Sequence, residues 1–369
     1  MPSYHWLIYL VAFLTAFSVS LLTTPLAKKI SIKLNAIDHP KKRGLNSIPI
    51  PRMGGLALVF GFMTAMFILI PFIEDFRTVQ FLGFIAGALI IVVLGVLDDI
   101  HNLNAKIKLL VQLLAAFTVV LTGTRIEMIM WPMFIYPDTL ETFSIPFTVL
   151  WIIGVTNAVN LIDGVDGLAA GVSSICGFFL MILCILTGSP MAVVFTAALT
   201  GSSMGFLPRN FNPAEVYMGD TGATFLGYVL AASSVMGLFK SYTLLAVLIA
   251  VLALSLPILD TMFAMLRRIR NRVPIMTADR GHLHHRLIDK GYTQKQAVII
   301  LYLISIVTGS LSILIIIEDN MAFFVASIFL LSLALMVYVY KKRIGNQLQN
   351  KLASTNLNSQ EIDTEKKEQ

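Results

Sequence analysis

Phe81-Leu82-Gly83-Phe84-Ile85-Ala86-Gly87-Ala88-Leu89-Ile90-Ile91-Val92-Val93-Leu94-Gly95-Val96-Leu97-Asp98-Asp99 decides how this chain must fold: an uncharged apolar run leads straight into two adjacent carboxylates. Such a run is long enough for a helix to cross most of a hydrocarbon core. A carboxylate beside hydrocarbon is costly unless it holds an ion, pairs with a cation or meets a polar substrate. Two other stretches repeat the arrangement. Asn160-Leu161-Ile162-Asp163-Gly164-Val165-Asp166-Gly167 follows one apolar run, and Met218-Gly219-Asp220-Thr221-Gly222 precedes another. Aspartates in glycine-bordered junctions at three membrane edges point to a metal-dependent site at the membrane surface.

The composition agrees. Hydrophobic residues make up 57% of the 369 and charged residues 13%, far below the roughly one quarter of a soluble domain. The net charge of +6 does not imply nucleic acid, because the basic residues fall between the apolar blocks, where they face anionic headgroups or substrate phosphates. Cys176 and Cys184 share one apolar segment with no ligand or disulfide framework around them, and read as small buried hydrophobes. The first apolar block lacks a basic leader and is followed by Lys28 and Lys29. That is the pattern of a retained helix, not of a cleaved signal peptide.

Apolar blocks near 6–22, 53–73, 80–97, 107–121, 145–162, 168–187, 190–207, 222–239, 243–260, 298–317 and 321–340 predict an all-α polytopic membrane protein of about eleven transmembrane helices. Ile126–Tyr136, short and interrupted by Pro132, reads as interfacial. With the N-terminus outside and the C-terminus cytoplasmic, every Lys and Arg of the 27 except Arg77, Arg125 and Lys240 lies on the cytoplasmic face, as the positive-inside rule requires. Residues 1–342 then form one integral-membrane catalytic domain, with cytoplasmic loops near 23–52, 98–106, 162–168, 208–221 and 261–297. Residues 343–369 form a polar tail whose composition predicts disorder. All three acidic stretches fall on the cytoplasmic side. No fixed-period repeat is evident, which counts against an inverted-repeat transporter.

The chemistry-bearing residues gather on that face. Adjacent carboxylates such as Asp98 and Asp99 repel unless a cation or a shared proton relieves them; the plainer reading is a solvated helix end, and Lys106 and Lys108 supply partial neutralisation. Asn157, Asn160, Asp163 and Asp166 recur every third residue, so on a helix each falls about 60° short of a full turn. Gly164 and Gly167 predict a helix break there that turns the carboxylates toward a common ligand, with helix capping as the alternative. Asp220, in its glycine turn, suits an N-cap and equally a metal or phosphate site; Arg209 and Asn210 just upstream offer cationic and amide contacts. Hard oxygen donors without cysteine favour Mg²⁺, with Mn²⁺ as the alternative. Since Mg²⁺ is usually completed by phosphates, the natural substrate is a diphosphate. His282, His284 and His285, beside Arg280 and Arg286, read as donors to phosphate oxygens. If that stretch is helical, His282 and His285 share a face and His284 turns away.

Taken with Pro51-Arg52-Met53-Gly54-Gly55 and His282-Leu283-His284-His285-Arg286-Leu287, these stretches resemble the polyprenyl-phosphate N-acetylhexosamine-1-phosphate transferases, bacterial membrane enzymes that begin surface-glycan or teichoic-acid synthesis. The resemblance implies eleven helices in the bacterial cytoplasmic membrane and an active site facing the cytoplasm. It also implies transfer of N-acetylhexosamine-1-phosphate, GlcNAc-1-phosphate first, from a UDP-sugar to undecaprenyl phosphate with release of UMP. Carried over residue by residue, Asp220 is the first Mg²⁺ ligand, with Asp98 and Asp99 metal-associated or activating the lipid phosphate. Asp163 and His282 join them in catalysis. Asn157, Asn160, Asp166, Arg209, Asn210, His284, His285 and Arg286 bind substrate. The implied partners are UDP-N-acetylhexosamine, undecaprenyl phosphate and membrane lipids, with no nucleic acid and a homodimer allowed. Relatives that use UDP-MurNAc-pentapeptide have a more continuous His-His-His signature, which Leu283 interrupts here. Near Lys42-Arg43-Gly44-Leu45-Asn46 an asparagine stands where histidine is common in the family. The rival readings are an ion-coupled transporter, which needs ionisable residues near mid-membrane, and a CDP-alcohol phosphotransferase, whose Asp-Gly-x-x-Ala-Arg signature is absent from Asp166-Gly167-Leu168-Ala169-Ala170-Gly171. A nonenzymatic scaffold leaves the assembled acidic chemistry unexplained.

Overall fold

The computed structural model describes residues 5–40, 48–73, 78–126, 137–238, 244–274 and 281–316. These residues form an all-α bundle with one two-residue-wide antiparallel pairing. The helices are α1 (His5–Lys33), α2 (Gly55–Leu69), α3 (Val79–His101), α4 (Ala105–Leu121), α5 (Pro137–Ile162), α6 (Leu168–Leu186), α7 (Pro190–Asn210), α8 (Gly219–Leu238), α9 (Leu244–Ala253), α10 (Ser255–Arg270), α11 (Leu283–Asp289) and α12 (Gln294–Leu314). Among the described residues eight helices are long and apolar enough to cross a membrane, which makes this a multi-pass membrane protein. The expected span at 321–340, nearly all of Ile126–Tyr136, the Lys42–Asn46 stretch and the tail lie outside the described residues.

Two element edges differ from the hydropathy reading. α1 does not stop near residue 22 but continues to Lys33 through Pro25. Thr23 and Thr24 donate their hydroxyls to the carbonyls of Val19 and Ser20 at 2.7 Å each, so polar residues there satisfy the helix instead of ending it. The single span expected at 243–260 is two helices broken at Leu254, and the second runs on to Arg270. Its last turn carries Arg267, Arg268 and Arg270, cations that suit a helix C-terminus.

The core is built around α8, which is buried from Thr221 to Leu238. It packs against α2, α3, α5, α6, α7 and α9. Gly, Ala, Ser and Thr dominate its sequence, and such small residues let membrane helices approach closely where lipid gives little hydrophobic incentive to associate. Larger rings fill the remaining space. Phe84 stacks on Phe195 with centroids 4.0 Å apart, Phe62 meets Phe225 edge-on at 5.4 Å, and Tyr228 donates its hydroxyl to the Phe84 carbonyl at 2.9 Å. The N-terminus of α8, half-buried at Gly219 and Asp220 and buried from Thr221 on, sits among its neighbours, and what lies against it forms the site.

The short pairing of Ile37–Asp38 (β1) with Ile50–Pro51 (β2) closes the first loop onto the end of α1. Ser31 donates its hydroxyl to the Ala36 carbonyl at 2.6 Å and accepts the Arg52 N–H at 3.0 Å. This clamp delivers the Pro51–Gly55 stretch to the start of α8.

Candidate active site

Backbone hydrogen bonds splice that stretch to the turn before α8. Tyr217 N–H donates to Pro51 O, Gly54 N–H to Tyr217 O and Gly55 N–H to Met218 O, all at 2.8 Å. The turn itself needs glycine: Gly219 has φ +69°, and a Cβ there would lie 1.9 Å from Arg52 O and 2.6 Å from both carboxylate oxygens of Asp99. The absent side chain lets Asp99 reach the first N–H groups of α8. Asp99 Oδ1 accepts the Asp220 N–H at 3.0 Å; Oδ2 accepts the Thr221 N–H at 3.0 Å and its hydroxyl at 2.6 Å. Asp99 thus caps a helix from another helix, and the anionic cap suits the positive end of the α8 dipole.

Asp98 faces a different partner. Its Oδ1 accepts the Leu103 N–H at 2.7 Å, and its Oδ2 forms a short ion pair with Lys108 Nζ. The same ammonium lies 2.8 Å from Asp220 Oδ2. Lys108, on the first turn of α4, therefore bridges the two carboxylates and confirms the neutralising part expected of it. Arg52 secures the end of α3: its Nε donates to the Asp99 carbonyl at 2.8 Å and its Nη2 to Asn102 Oδ1 at 3.0 Å.

The predicted break after α5 is present: α5 ends at Ile162, Gly167 takes φ +77°, and α6 begins at Leu168. Burial, reinforced by the charges of Asp220, Asp99 and Asp166, pushes the Asp163 carboxyl up to about 8. That sensitivity places Asp163 in the same electrostatic cluster. Asp166 is engaged elsewhere, its Oδ2 accepting from Asn212 Nδ2 at 3.0 Å and Ala214 N–H at 3.1 Å. Asn157 donates to Gln112 Oε1 at 2.7 Å, tying α5 to α4. Asn160, on the last turn of α5, accepts the Asp163 N–H through its carbonyl at 3.2 Å. Asn210 donates to Val216 O at 3.0 Å, and Arg209 pairs with Glu215 at 3.1 Å. Arg209, Asn210 and Asp166 thus fasten the 211–216 loop that leads to Asp220.

The histidines come to the same end of the bundle, in an order different from the helical-face expectation. His282 is extended (φ −61°, ψ 152°) and precedes α11, so it shares no helical face with His285. His284 does not turn away. It is 2% exposed, stacks parallel to His282 at 5.8 Å, and contacts the His285 ring at 4.3 Å. Its Nε2 points at Gly164, where a Cβ would sit 2.6 Å from it. Arg286 is exposed on α11. Burial, aided by the charges of His285 and His282 and opposed by Asp260, lowers the His284 imidazole to about 4.

Sequence reasoning missed Asp260, a buried carboxylate in α10 whose Oδ2 lies 2.9 Å from His282 Nδ1 and whose Oδ1 accepts the Leu283 N–H at 2.9 Å. The available signal was its place in the apolar run Leu256-Pro257-Ile258-Leu259-Asp260, where a lone charge demands a partner. It also missed a cavity of ≈ 230 Å³ between α5 and α10, lined by Phe147, Leu150, Trp151, Ile258, Met262 and Met265.

Among the described residues no three His, Cys, Asp or Glu side chains are gathered as a ready ligand set. The donors nonetheless fit a hard cation. Asp98 and Asp220 aim one carboxylate oxygen each at a single cationic point, and Mg²⁺ is commonly held by one or two carboxylates with waters and phosphates completing the shell.

Comparison with known proteins identifies the family. Residues 81–238 match glycosyl transferase family 4. A probable undecaprenyl-phosphate N-acetylglucosaminyl 1-phosphate transferase of Bacillus subtilis is 41% identical over 302 residues, 81% of this chain and 83% of that protein. A decaprenyl-phosphate N-acetylglucosaminephosphotransferase of Mycobacterium leprae is 33% identical, covering 79% of each. A phospho-N-acetylmuramoyl-pentapeptide-transferase of Caldanaerobacter subterraneus is 30% identical over 80% of this chain and 95% of its own length.

Proposed function

This chain belongs to the polyprenyl-phosphate N-acetylhexosamine-1-phosphate transferases, and we propose that it transfers GlcNAc-1-phosphate from UDP-GlcNAc to undecaprenyl phosphate. A lipid phosphate oxygen attacks the sugar-proximal phosphorus; the bond from that phosphorus to the UMP oxygen breaks, and UMP leaves. The observation that carries this reading is the convergence of Asp98 and Asp220 on Lys108 at the half-buried start of α8, with Asp163 in the same electrostatic field. That arrangement suits a diphosphate, whose charge must be neutralised and whose phosphorus must be held in line.

In this proposal Asp98 and Asp220 hold Mg²⁺, or Mn²⁺ in its place, and the ion when bound neutralises diphosphate oxygens. Lys108 supplies fixed positive charge to the phosphates. Asp99, whose oxygens already serve the N-terminus of α8, sets the position of Asp220. Asp163, Asn160 and the histidines frame the donor. The apolar cavity between α5 and α10 suits an isoprenoid chain, because α5 leads from it to Asp163. The proposal also includes eleven spans, an outside N-terminus and a site facing the cytoplasm, supported by the distribution of lysine and arginine.

The test is an assay in which purified protein, UDP-GlcNAc, undecaprenyl phosphate and Mg²⁺ release UMP and form a lipid-linked sugar diphosphate. Absence of product from folded protein across several UDP-N-acetylhexosamine donors overturns the proposal.

A further inference from the structure

Of the buried ionisable groups outside the aspartate cluster, Asp260 has the most telling surroundings. It is 4% exposed in α10, among Leu256, Pro257 and Ala264, all buried. A buried carboxylate in such a setting is strongly disfavoured unless its oxygens are met by donors. Both are met from one short segment: Oδ1 by the Leu283 N–H at 2.9 Å and Oδ2 by the His282 ring at 2.9 Å. His282 is itself 5% exposed and stacks on His284, whose Nε2 faces Gly164, where a Cβ would sit 2.6 Å from it. Asp260, His282 and His284 therefore form a line of side chains from α10 to the Gly164 turn that follows α5.

An ionised carboxylate only accepts hydrogen bonds, so the ring nitrogen facing it must carry a hydrogen. That fixes the hydrogen on Nδ1 and leaves Nε2 as the nitrogen available to substrate, as when a carboxylate orients a metal-bound or catalytic histidine. The Leu283 bond adds a second constraint by holding the first residue of α11 at the same carboxylate. Ring tautomer, ring direction and the start of the helix are thereby set by one side chain.

We propose that Asp260 is the positioning residue for His282, holding the Nδ1–H tautomer so that Nε2 accepts a hydrogen bond from a hydroxyl or amide N–H of the donor sugar; the substrate part of this inference rests on the transfer reaction proposed above. Asp260→Asn separates the two jobs of the carboxylate. Its Oδ1 still accepts the Leu283 N–H, while its amide nitrogen now donates to Nδ1 and forces the hydrogen onto Nε2.

The experiment compares Asp260→Asn, His282→Gln and the double variant, all as full-length protein in nanodiscs, by kcat and KM for UDP-GlcNAc and by thermal unfolding. Asp260→Asn is expected to lower kcat about 10- to 100-fold with KM and unfolding temperature nearly unchanged, and to add nothing in the His282→Gln background, since residues that act through one another are non-additive. Wild-type kcat in Asp260→Asn, or an equal further loss on top of His282→Gln, overturns the proposal. Ring-nitrogen NMR of histidine-labelled wild-type protein, with His282→Gln assigning the signal, needs no Asp260 variant to fold and no turnover. A protonated Nδ1 on His282 supports the proposal and a bare Nδ1 overturns it. If no UDP-sugar is turned over while Nδ1 is protonated, the transfer reaction fails and the Asp260–His282 pairing stands.

Discussion

Asp99 and Thr221 form the joint that fixes the start of α8: Thr221 donates both its backbone N–H and its hydroxyl to Asp99 Oδ2, at 3.0 and 2.6 Å. With the Asp220 N–H on the other oxygen, the carboxylate satisfies three donors at the start of α8, two of them on the buried Thr221. Hydrogen bonds to a charged acceptor contribute about 1.5–3 kcal/mol each, and a donor left buried without one is costly. Asp99→Ala is therefore expected to destabilise the protein by about 3 kcal/mol and to reduce turnover, whereas Thr221→Val, which keeps the backbone bond, costs about 1 kcal/mol. Asp220→Ala should behave in the opposite way, abolishing turnover with little change in unfolding temperature. Thermal unfolding in detergent alongside the UMP-release assay separates the two; equal unfolding temperatures for Asp99→Ala and wild type would refute the capping assignment.

Lys108 occupies the point toward which Asp98 and Asp220 both turn. Its ammonium competes with a divalent ion for the same oxygens, yet it also supplies charge for phosphate. Removing it should therefore separate metal affinity from catalysis. Lys108→Met is expected to bind Mn²⁺ about tenfold more tightly, ~1.4 kcal/mol, because two carboxylates lose their internal counter-ion. Turnover is expected to fall by about two orders of magnitude. Mn²⁺ titration followed by electron paramagnetic resonance reads the first effect without any substrate. Weaker Mn²⁺ binding in Lys108→Met would show that the ammonium and the ion do not share those oxygens.

Much of this site was legible before any coordinates. Asp98, Asp99, Asp163 and Asp220 announced themselves because charge at the end of an apolar run has few innocent explanations, and Gly164 with Gly167 marked the break that separates α5 from α6. What hydropathy does not encode is which side chain meets which. The same aspartate type serves α8 as a cap at position 99 and faces Lys108 at position 98, a difference set by the splice between Pro51–Gly55 and Tyr217–Met218. Arg209, Asn210 and Asp166, expected from the resemblance to bind substrate, also fasten the 211–216 loop, a contact that their spacing does not announce. Asp260 was hidden because a single carboxylate has no spacing. The break at Leu254 was hidden because nothing in its apolar surroundings separates two helices from one.

Gly164 is a position where the reason for glycine comes from a distant side chain. A Cβ there would lie 2.6 Å from His284 Nε2 and 2.9 Å from its Cε1, closer than atoms pack, so Gly164→Ala must displace the ring. Overpacking of this kind costs about 1–3 kcal/mol, and the displaced ring would pull on the His282–His284 stack. Gly164→Ala is expected to lower kcat severalfold or more, with little further effect once His284→Ala has removed the ring. A double-mutant cycle on kcat and unfolding temperature checks this; strictly additive losses would mean that Gly164 matters for some reason other than His284.

His284 also makes the histidine segment acid-sensitive. Burial is the main cause of its lowering to about 4, with His285 and His282 adding to it and Asp260 opposing, against about 6.5 in an unfolded chain. Between those values the unfolded state binds the proton and the folded state does not, so stability rises with pH across the window and is lost as pH falls from about 6.5 toward 4. Above pH 6.5 both states are neutral and the group contributes no slope. The full span corresponds to about 3 kcal/mol. His284→Phe, which keeps an aromatic ring in the stack and cannot take up a proton, is expected to remove that rising contribution and leave the opposing one of Asp163, whose carboxyl raised to about 8 makes stability fall as pH rises above about 4. Unfolding temperatures measured in detergent from pH 4 to 8 test this directly, and an unchanged slope between pH 4 and 6.5 in His284→Phe would assign the acid sensitivity to another group.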